Sequence, residues 1–337
     1  MLLRAARVNS GLLRLSAAVR PPLSALSTTS KVSAGDWKPA SVGVVGLGLM
    51  GHGVAQVSAA AGFNVIAVEA KEEFLKTGMK RIEGSLGKVI SKNVQKGMYD
   101  EAGGKRAYDD VIGRIKFTTN LQDVKDCDLI IEAIVENVEL KLSFYKTLGP
   151  LAKKDAIFCS NTSSLQITQM AIASGRPEQF VGLHFFNPVQ IMKLVEVIRN
   201  KQTSDETFNK VSSFGKKIGK VTVSCDDTPG FIVNRLLVPY LTQAMGMVDR
   251  REASVPDIDV SMQLGAGHPM GPLHLADYIG LDTLHSILIG WKKNYPEEPA
   301  FFVPKCLQDK IDKGLLGRKT GKGFYAWDGE TCTGKPL

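Results

Sequence analysis

Residues 41–51 read Ser-Val-Gly-Val-Val-Gly-Leu-Gly-Leu-Met-Gly, an apolar strand pattern that runs directly into a glycine-rich turn. Gly46 permits the tight turn from strand to helix, Gly48 lets the backbone approach a pyrophosphate, and Gly51 allows the next helix to pack close to the strand. A second apolar run ends at Glu69, roughly 20 residues on, where a carboxylate accepts hydrogen bonds from ribose hydroxyls and repels a 2′-phosphate. The pattern predicts a βαβ unit that binds NAD rather than NADP. A glycine-rich turn in another kind of α/β protein, or a surface role for Glu69, is the alternative.

Composition and charge limit the class of protein. The 337 residues are enough for two domains, and 44% hydrophobic with 23% charged residues is ordinary for a globular chain. The formal net charge of +8 includes five cations in residues 1–35, which hold no acid, so the rest of the chain carries +3. That excess is too small to indicate nucleic acid as a partner. No apolar run approaches the ~18 residues that a membrane span requires, so we predict no transmembrane segment.

The first 38 residues differ in composition from the rest of the chain. They are rich in arginine and serine and hold no acid before Asp36, which is typical of a mitochondrial transit peptide. The arginines interrupt the apolar core that a secretory signal needs. We therefore predict a transit peptide and linker over residues 1–38 and location in the mitochondrial matrix, with a disordered basic tail as the alternative. Five widely spaced cysteines without a Cys-x-x-Cys pair indicate reduced thiols and no metal site.

Strand and helix patterns alternate through the first two thirds of the chain. Apolar positions at helical spacing predict one long helix over residues 72–95, and the polar stretch 96–113, with its Gly103-Gly104 pair, predicts a loop that holds a short helix at most. The alternation predicts a doubly wound, mostly parallel Rossmann-type α/β sheet with helices on both faces. The strand patterns cover residues 115–117, 129–134, 156–160, 181–186, 194–198 and 221–224.

A cluster of helix and strand breakers, Asp-Asp-Thr-Pro-Gly at residues 226–230, marks a change in character. Beyond it, residues 231–317 show helical periodicity and almost no strand signal. We therefore expect a dinucleotide-binding domain over 39–226, an all-helical C-terminal domain over 227–330 and a tail over 331–337.

One histidine, His184, lies inside a strand pattern, and the link to the next strand is too short for a crossover helix. The two strands should therefore pair antiparallel. A hairpin centred on Gln190 brings His184 opposite Glu196, where facing Cβ atoms lie roughly 5 Å apart. A carboxylate on one imidazole nitrogen fixes the tautomer, leaves the other nitrogen as a base and stabilises the imidazolium. The pair indicates a general base for hydride transfer, and a structural His–Glu pair at a strand edge is the alternative.

Two polar clusters belong with this histidine. The run Ser-Asn-Thr-Ser-Ser at 160–164 follows a strand at the carboxyl end of the sheet, where ligands bind in open α/β folds. Its side chains could reach a ribose and a reacting oxygen, or Ser163 or Ser164 could cap a helix instead. Asn234 lies on an otherwise apolar helix, where an amide is costly unless it forms a hydrogen bond. Its partner is either a substrate carbonyl or a backbone group.

These motifs together resemble one family, the L-3-hydroxyacyl-CoA dehydrogenases of fatty-acid β-oxidation in their short-chain mitochondrial form. They follow the family order from about residue 41 to residue 326. The matching strings are Gly-Leu-Gly-Leu-Met-Gly at 46–51, Glu-Ala-Ile-Val-Glu-Asn at 132–137, Ser-Asn-Thr-Ser-Ser-Leu at 160–165, Gly-Leu-His-Phe-Phe-Asn-Pro at 182–188, Asp-Thr-Pro-Gly-Phe-Ile-Val-Asn-Arg at 227–235 and Gly-Lys-Gly-Phe-Tyr at 321–325.

The resemblance implies roles for particular residues. His184 would remove the proton of the 3-hydroxyl group with Glu196 as its electrostatic partner, and Ser163 and Asn234 would hold the substrate oxygens. It also implies a set of residues that bind NAD: Glu69 on the adenosine ribose, Glu136, Lys141, Asn161 and Asn187 along the nicotinamide half, and Lys319 from the helical domain. For the substrate and the assembly it implies that CoA lies on Ser85 and Lys92, and that the helical domain forms a homodimer.

The chain departs from the family pattern at the ribose carboxylate, which is usually Asp and here is Glu69, one methylene longer. We still expect a preference for NAD, but the longer side chain means that the affinity for NAD cannot be carried over from the family. Chain-length preference does not transfer either, because the stretch 96–113 is irregular. The alternatives are a dehydrogenase of the same fold specific for 3-hydroxybutyryl-CoA or a sugar acid, and a catalytically silent relative that serves as a binding or structural protein.

Overall fold

An eight-stranded sheet carries the first two thirds of the protein in the computed structural model, which describes residues 37–337. The strand order is β3-β2-β1-β4-β5-β6-β7-β8. All neighbouring pairs are parallel except β6–β7, which is antiparallel. The strands are β1 (Ser41–Val45), β2 (Asn64–Val68), β3 (Ile115–Thr118), β4 (Leu129–Glu132), β5 (Ile157–Ser160), β6 (Phe180–Phe185), β7 (Leu194–Arg199) and β8 (Val221–Asp226).

Helices cover both faces of this sheet, which confirms the doubly wound fold. Two separate apolar layers result, and successive residues of β1 alternate between them: Val44 packs in one layer and Val45 in the other. The helices are α1 (Gly51–Ala60), α2 (Glu72–Gln95), α3 (Glu101–Gly113), α4 (Val138–Leu151), α5 (Ile167–Ala173) and α6 (Asp205–Lys217).

Helix α3 corrects the expectation of a loop over residues 96–113. The Asp100 side chain caps it by accepting a hydrogen bond from the Gly103 amide at 2.6 Å. A Cβ atom at Gly104 would lie 2.7 Å from a methyl group of Val94, so the glycine allows α3 to pack closely on α2. Of the glycine pair that suggested a loop, Gly103 therefore leaves room for the Asp100 cap and Gly104 for the contact between the two helices.

The last third of the protein is mainly helical, as expected, and encloses its own apolar core. Two details differ from the expectation: residues 325–328 of the segment expected to be all-helical form a strand, and the segment taken for a tail contains a second strand that pairs antiparallel with it. The elements are α7 (Val233–Asp249), α8 (Val255–Ala266), α9 (Pro272–Ile279), α10 (Leu281–Asn294), α11 (Lys305–Asp312), β9 (Tyr325–Asp328) and β10 (Thr331–Pro336).

A buried carboxylate explains why a strand forms where the sequence has little strand character. Asp277 accepts hydrogen bonds from the Tyr325 amide at 2.9 Å and from Trp327 Nε1 at 3.0 Å, which fixes β9 against α9. Strand β10 pairs with the edge of β9, which these contacts with Asp277 hold in position. Between residues 37 and 337, no helix is long and apolar enough to cross a membrane, and no group of three or more His, Cys, Asp or Glu side chains could hold a metal ion. The predicted transit peptide and linker, residues 1–38, lies almost wholly outside the described residues.

Candidate active site

The glycine-rich turn between β1 and α1 is closed on one side and open on the other. A Cβ atom at Gly46, whose φ is +93°, would lie 2.6 Å from the Ala133 carbonyl oxygen, and one at Gly51 would collide with the Gly46 carbonyl oxygen at 1.7 Å. A Cβ atom at Gly48 would meet nothing within 4 Å. No side chain caps α1. The turn therefore needs glycine for its own geometry at two positions and offers space beside a helix N-terminus at the third, which fits a pyrophosphate.

Glu69, at the end of β2, holds this turn in place. Its carboxylate accepts hydrogen bonds from the Leu47 amide at 2.8 Å and from the Ala70 amide at 2.7 Å. Leu47 in turn packs closely on Gly78 of α2. A carboxylate at this point of a βαβ nucleotide-binding unit repels a 2′-phosphate, so the turn and Glu69 together fit NAD.

A cleft of about 430 Å³ opens at the carboxyl ends of the strands and reaches the start of α7. Its size suits a small-molecule ligand. Its walls come from the glycine-rich turn, the segment after β4, the serine cluster, the end of β6 and one residue of α7. The lining residues are Gly48, Leu49, Met50, Ala133, Ile134, Val135, Glu136, Asn161, Ser163, His184, Phe185, Phe186, Asn187 and Asn234.

The strand pair β6–β7 has the predicted register, with His184 directly opposite Glu196. Nδ1 of His184 lies 2.7 Å from Glu196 Oε2, and both side chains are buried, at 5% and 0% exposure. A carboxylate accepts hydrogen bonds only, so Nδ1 carries the proton of the neutral ring and Nε2 is the nitrogen available as a base. His184 also lines the cleft.

Glu196 also binds the start of the helical part of the chain. Its second oxygen, Oε1, accepts hydrogen bonds from the Ile232 amide at 3.1 Å and the Val233 amide at 2.9 Å. Two left-handed residues precede these amides, Gly230 with φ +74° and Phe231 with φ +56°. The second costs a non-glycine residue about 1–2 kcal/mol. One carboxylate thus joins the histidine of the sheet to the N-terminus of α7.

The serine cluster after β5 is organised by Glu136. One carboxylate oxygen accepts hydrogen bonds from Thr162 Oγ1 at 2.6 Å, the Ser163 amide at 3.0 Å and Ser164 Oγ at 3.2 Å. Burial raises the pKa of Glu136, but the charge of Lys141 and these hydrogen bonds outweigh it and hold that pKa below its usual value. Neither serine caps α5, because Asp227 accepts hydrogen bonds from the first amides of that helix. Ser163 is therefore a loop residue that the Glu136 carboxylate holds at the wall of the cleft.

Three asparagines line the same cleft. Asn234 donates a hydrogen bond from Nδ2 to the Ser163 carbonyl at 3.2 Å, so its partner here is a backbone group, and the residue links α7 to the serine cluster. Asn161 accepts from the Phe185 amide at 2.8 Å, next to His184. Asn187 is exposed at the rim of the cleft. These three side chains surround the space in front of the imidazole.

Glu132 is a buried acid that the sequence analysis did not single out. It is fully buried at the end of β4 and accepts hydrogen bonds from Lys141 Nζ at 2.5 Å and Ser160 Oγ at 2.7 Å. Lys141 is 1% exposed and also pairs with Glu136 at 3.4 Å, so its ammonium lies beneath the cleft rather than at its surface. The sequence does hold a signal for this site, because Glu132 is a charged residue at the end of an otherwise apolar strand.

Seven of the predicted ligand-binding residues do not line the cleft, and three of these, Ser85, Lys92 and Lys319, lie on elements that supply no lining residue. Lys319 pairs with Asp282 within the helical part of the chain. Ser85 and Lys92 lie two helical turns apart on α2, Ser85 partly buried and Lys92 exposed. The structure thus brings together His184, Glu196, Ser163, Asn161 and Asn234, and leaves these three outside.

Comparison with known proteins identifies the same family for both parts of the chain. Residues 41–228 match the NAD-binding domain of 3-hydroxyacyl-CoA dehydrogenase, and residues 230–327 match the C-terminal domain of that enzyme. A probable 3-hydroxybutyryl-CoA dehydrogenase of Deinococcus radiodurans is 48% identical over 285 residues, which cover 85% of this chain and 99% of the relative. The human protein named hydroxyacyl-coenzyme A dehydrogenase, mitochondrial, is 46% identical over 302 residues, which cover 89% and 95% of the two chains.

Solved structures agree with the sequence relatives. The crystal structure of (S)-3-hydroxybutyryl-CoA dehydrogenase PaaH1 from Ralstonia eutropha superposes with a TM-score of 0.80 at 37% identity, and covers 86% of this chain and 100% of that one. The glycine-rich turn, Glu69 and the open cleft fit the cofactor of this family. The chain therefore belongs to the 3-hydroxyacyl-CoA dehydrogenases, an oxidoreductase family, and it uses NAD.

Proposed function

We propose that the protein oxidises L-3-hydroxyacyl-CoA thioesters to 3-ketoacyl-CoA, with His184 as the general base and Glu196 as its electrostatic partner. The observation that carries this proposal is the buried 2.7 Å contact between the two side chains at the wall of the cleft. A catalytically silent relative would have no use for a base that is held in one tautomer beside a cofactor site. The presence of both residues therefore argues for an active enzyme.

Side chains of the protein accept the proton that the substrate loses. His184 Nε2 takes the proton of the 3-hydroxyl group, and Glu196 stabilises the imidazolium that forms. Ser163 and Asn234 border the same space and would orient the substrate oxygens. NAD, when bound, supplies the acceptor for the hydride that leaves C3. The nicotinamide half of NAD would lie beside Asn161 and Asn187, which Glu136 and Lys141 would support from beneath. The adenosine ribose would contact Glu69.

The substrate class is inferred from the resemblance and from the names of the relatives. Two of them, the Deinococcus protein and the Ralstonia structure, are named for 3-hydroxybutyryl-CoA, whereas the human relative is named for hydroxyacyl-CoA in general. Ser85 and Lys92 on α2 would hold the CoA moiety, and Lys319 would approach the cofactor when the helical part moves. We propose that the enzyme accepts 3-hydroxyacyl-CoA substrates with a range of acyl chain lengths. The alternatives are an enzyme specific for 3-hydroxybutyryl-CoA and one specific for a sugar acid.

Steady-state kinetics can test both proposals. Oxidation of 3-hydroxyacyl-CoAs of increasing chain length, followed by NADH absorbance and with NADP as a control, gives the substrate range. His184→Gln should lower kcat by about 10²–10⁴ while NAD binding is retained. His285→Gln is the matched control, because His285 bonds Gln308 in the helical part and does not line the cleft. Turnover of His184→Gln within about threefold of wild type would contradict the assignment.

Assembly and location are further parts of the proposal. Helices α7 and α8 leave Leu236, Val260 and Leu264 exposed, at 69%, 49% and 84%, which supports a homodimer through the helical part. Leu264→Asp should then give a monomer in sedimentation experiments. The composition of residues 1–38 and the word mitochondrial in the human relative's name support import into the matrix. We also propose domains at 39–226 and 227–330, with a hinge at 226–230.

A further inference from the structure

The turn that leads into α7 has a backbone conformation that side chains rarely adopt. Gly230 and Phe231 are both left-handed, and the Phe231 amide closes the turn by donating to the Thr228 carbonyl at 3.0 Å. Arg251 is the one other non-glycine residue with positive φ between residues 37 and 337. Strained residues of this kind persist where the surrounding structure needs them, and they cluster at active sites.

The turn places the Phe231 ring against the imidazole of His184. The two ring centroids lie 5.7 Å apart, and Phe231 is 4% exposed. Phe186 contacts the same imidazole with a centroid distance of 4.6 Å. The imidazole is therefore confined by two aromatic rings and by the carboxylate of Glu196. Rotation about the Cβ–Cγ bond of His184 would take Nδ1 away from Glu196, and the two rings beside the imidazole restrict that rotation.

The same turn directs two successive amides at Glu196. Because Gly230 and Phe231 are left-handed, the amides of Ile232 and Val233 both reach Oε1, at 3.1 and 2.9 Å. Successive amides that converge in this way form an anion-binding nest. The other oxygen of Glu196 remains for His184 Nδ1. A single turn thus restrains the imidazole with a ring and orients its partner with two amides.

We propose that Phe231 is a positioning residue for His184, whose ring holds the imidazole in the orientation in which Glu196 fixes its tautomer. Neither the family match nor the His–Glu pair assigns a role to this side chain. The inference rests on the proposed function, because it takes His184 to be the base. It concerns the geometry of that base, however, and geometry can be measured without turnover.

The experiment combines kinetics with ¹⁵N NMR of the histidine ring nitrogens in the full chain. The His184 signals are assigned by their loss in His184→Gln. Phe231→Leu removes the ring, Phe231→Met keeps more of its volume and serves if the leucine variant does not fold, and Phe231→Tyr restores the ring. Phe214→Leu is the control, because it makes the same change at a fully buried site that packs on Phe63 and does not line the cleft.

Phe231→Leu should lower kcat by about 10- to 100-fold, as misplacement of a catalytic group does, with the KM for NAD unchanged. The His184 nitrogens should change from the shifts of a single Nδ1-protonated tautomer to those of a mixture. Phe231→Tyr should restore both readouts, and Phe214→Leu should change neither. Wild-type kcat and an unchanged tautomer in Phe231→Leu, or in the methionine variant, would overturn the inference. If His184→Gln keeps full turnover, the proposed function fails instead, and the tautomer shift still decides the role of Phe231.

Discussion

Replacement of Glu196 by Gln tests the catalytic pair most directly, because it keeps the shape of the side chain and removes its charge. In the native protein one oxygen accepts from His184 Nδ1 at 2.7 Å, and the other accepts from the amides of Ile232 and Val233. Glutamine has a single oxygen for these two sets of donors. Either the imidazole or the two amides must therefore face an NH₂ group.

The size of the effect follows from the two orientations. If the amides keep the oxygen, the NH₂ group donates to Nδ1 and moves the ring proton to Nε2, so the base is lost. A wrong tautomer of this kind costs about 10⁴ in kcat in a histidine-based catalytic triad, or about 5 kcal/mol. If the imidazole keeps the oxygen, two partly buried amides lose their partner, at up to about 1–3 kcal/mol of stability each. Either outcome is large.

The assay measures kcat, both KM values and the pH profile, with urea unfolding of the same samples. Glu252→Gln is the matched control, because that carboxylate is exposed and pairs with Arg250. We expect kcat to fall by about 10³–10⁴ or the free energy of unfolding to fall by at least about 2 kcal/mol. A stable variant with kcat within about threefold of wild type and an unchanged pH profile would refute the reasoning.

Cofactor choice, acid stability and domain movement can each be tested separately. Wild type should prefer NAD, and Glu69→Ser combined with Ala70→Arg should narrow the gap because the charge that repels a 2′-phosphate is gone; equal use of both cofactors by wild type would contradict this in steady-state kinetics. Burial lowers the pKa of His52, whose Nδ1 lies 2.8 Å from the Gly48 carbonyl oxygen. The unfolded chain therefore binds a proton at His52 more readily than the folded protein does, and the free energy of unfolding should fall as the pH drops below the ordinary pKa of 6.5. In thermal melts over this pH range, the melting temperature of His52→Asn should fall less than that of wild type. NAD with a 3-ketoacyl-CoA should close the cleft at the hinge 226–230 and reduce the radius of gyration in solution scattering, whereas NAD alone should not; identical curves for the apo, binary and ternary forms would indicate a preformed site.

The parts of the fold that the sequence predicted are those governed by local periodicity and short connections. The register of His184 with Glu196 follows from a short hairpin, because equal distances from its centre fix the pairing. Helix α2 begins and ends at the predicted residues for a similar reason, since its apolar stripe continues without interruption. Local patterns of this kind need no knowledge of the rest of the molecule.

The parts that the sequence did not predict depend on contacts between distant segments. Glycines at 103 and 104 indicated a loop, but Gly103 lies against the Asp100 cap and Gly104 permits the contact of α3 with α2. The partner of Asn234, the Ser163 carbonyl, lies 71 residues away in the sequence, and no local pattern indicates it. Glu132 looked like the last residue of an apolar strand, and its part in the Lys141 ion pair appears only when α4 packs beneath β4. Lys319 pairs with Asp282, which lies 37 residues away in the sequence, and no local pattern indicates that pairing.

The antiparallel pair β6–β7 has a consequence for the order in which the protein assembles. His184 and Glu196 are twelve residues apart in one hairpin, so the entropy lost in bringing them together is small. Hairpins form in about 1–10 μs, well before long-range strand pairing is complete. Asn234 and the amides of α7 come from beyond β8 and can reach the pair only after the sheet edge exists. During refolding, the histidine should therefore meet its carboxylate early and gain its remaining neighbours late, so recovery of activity should lag behind recovery of β-sheet structure.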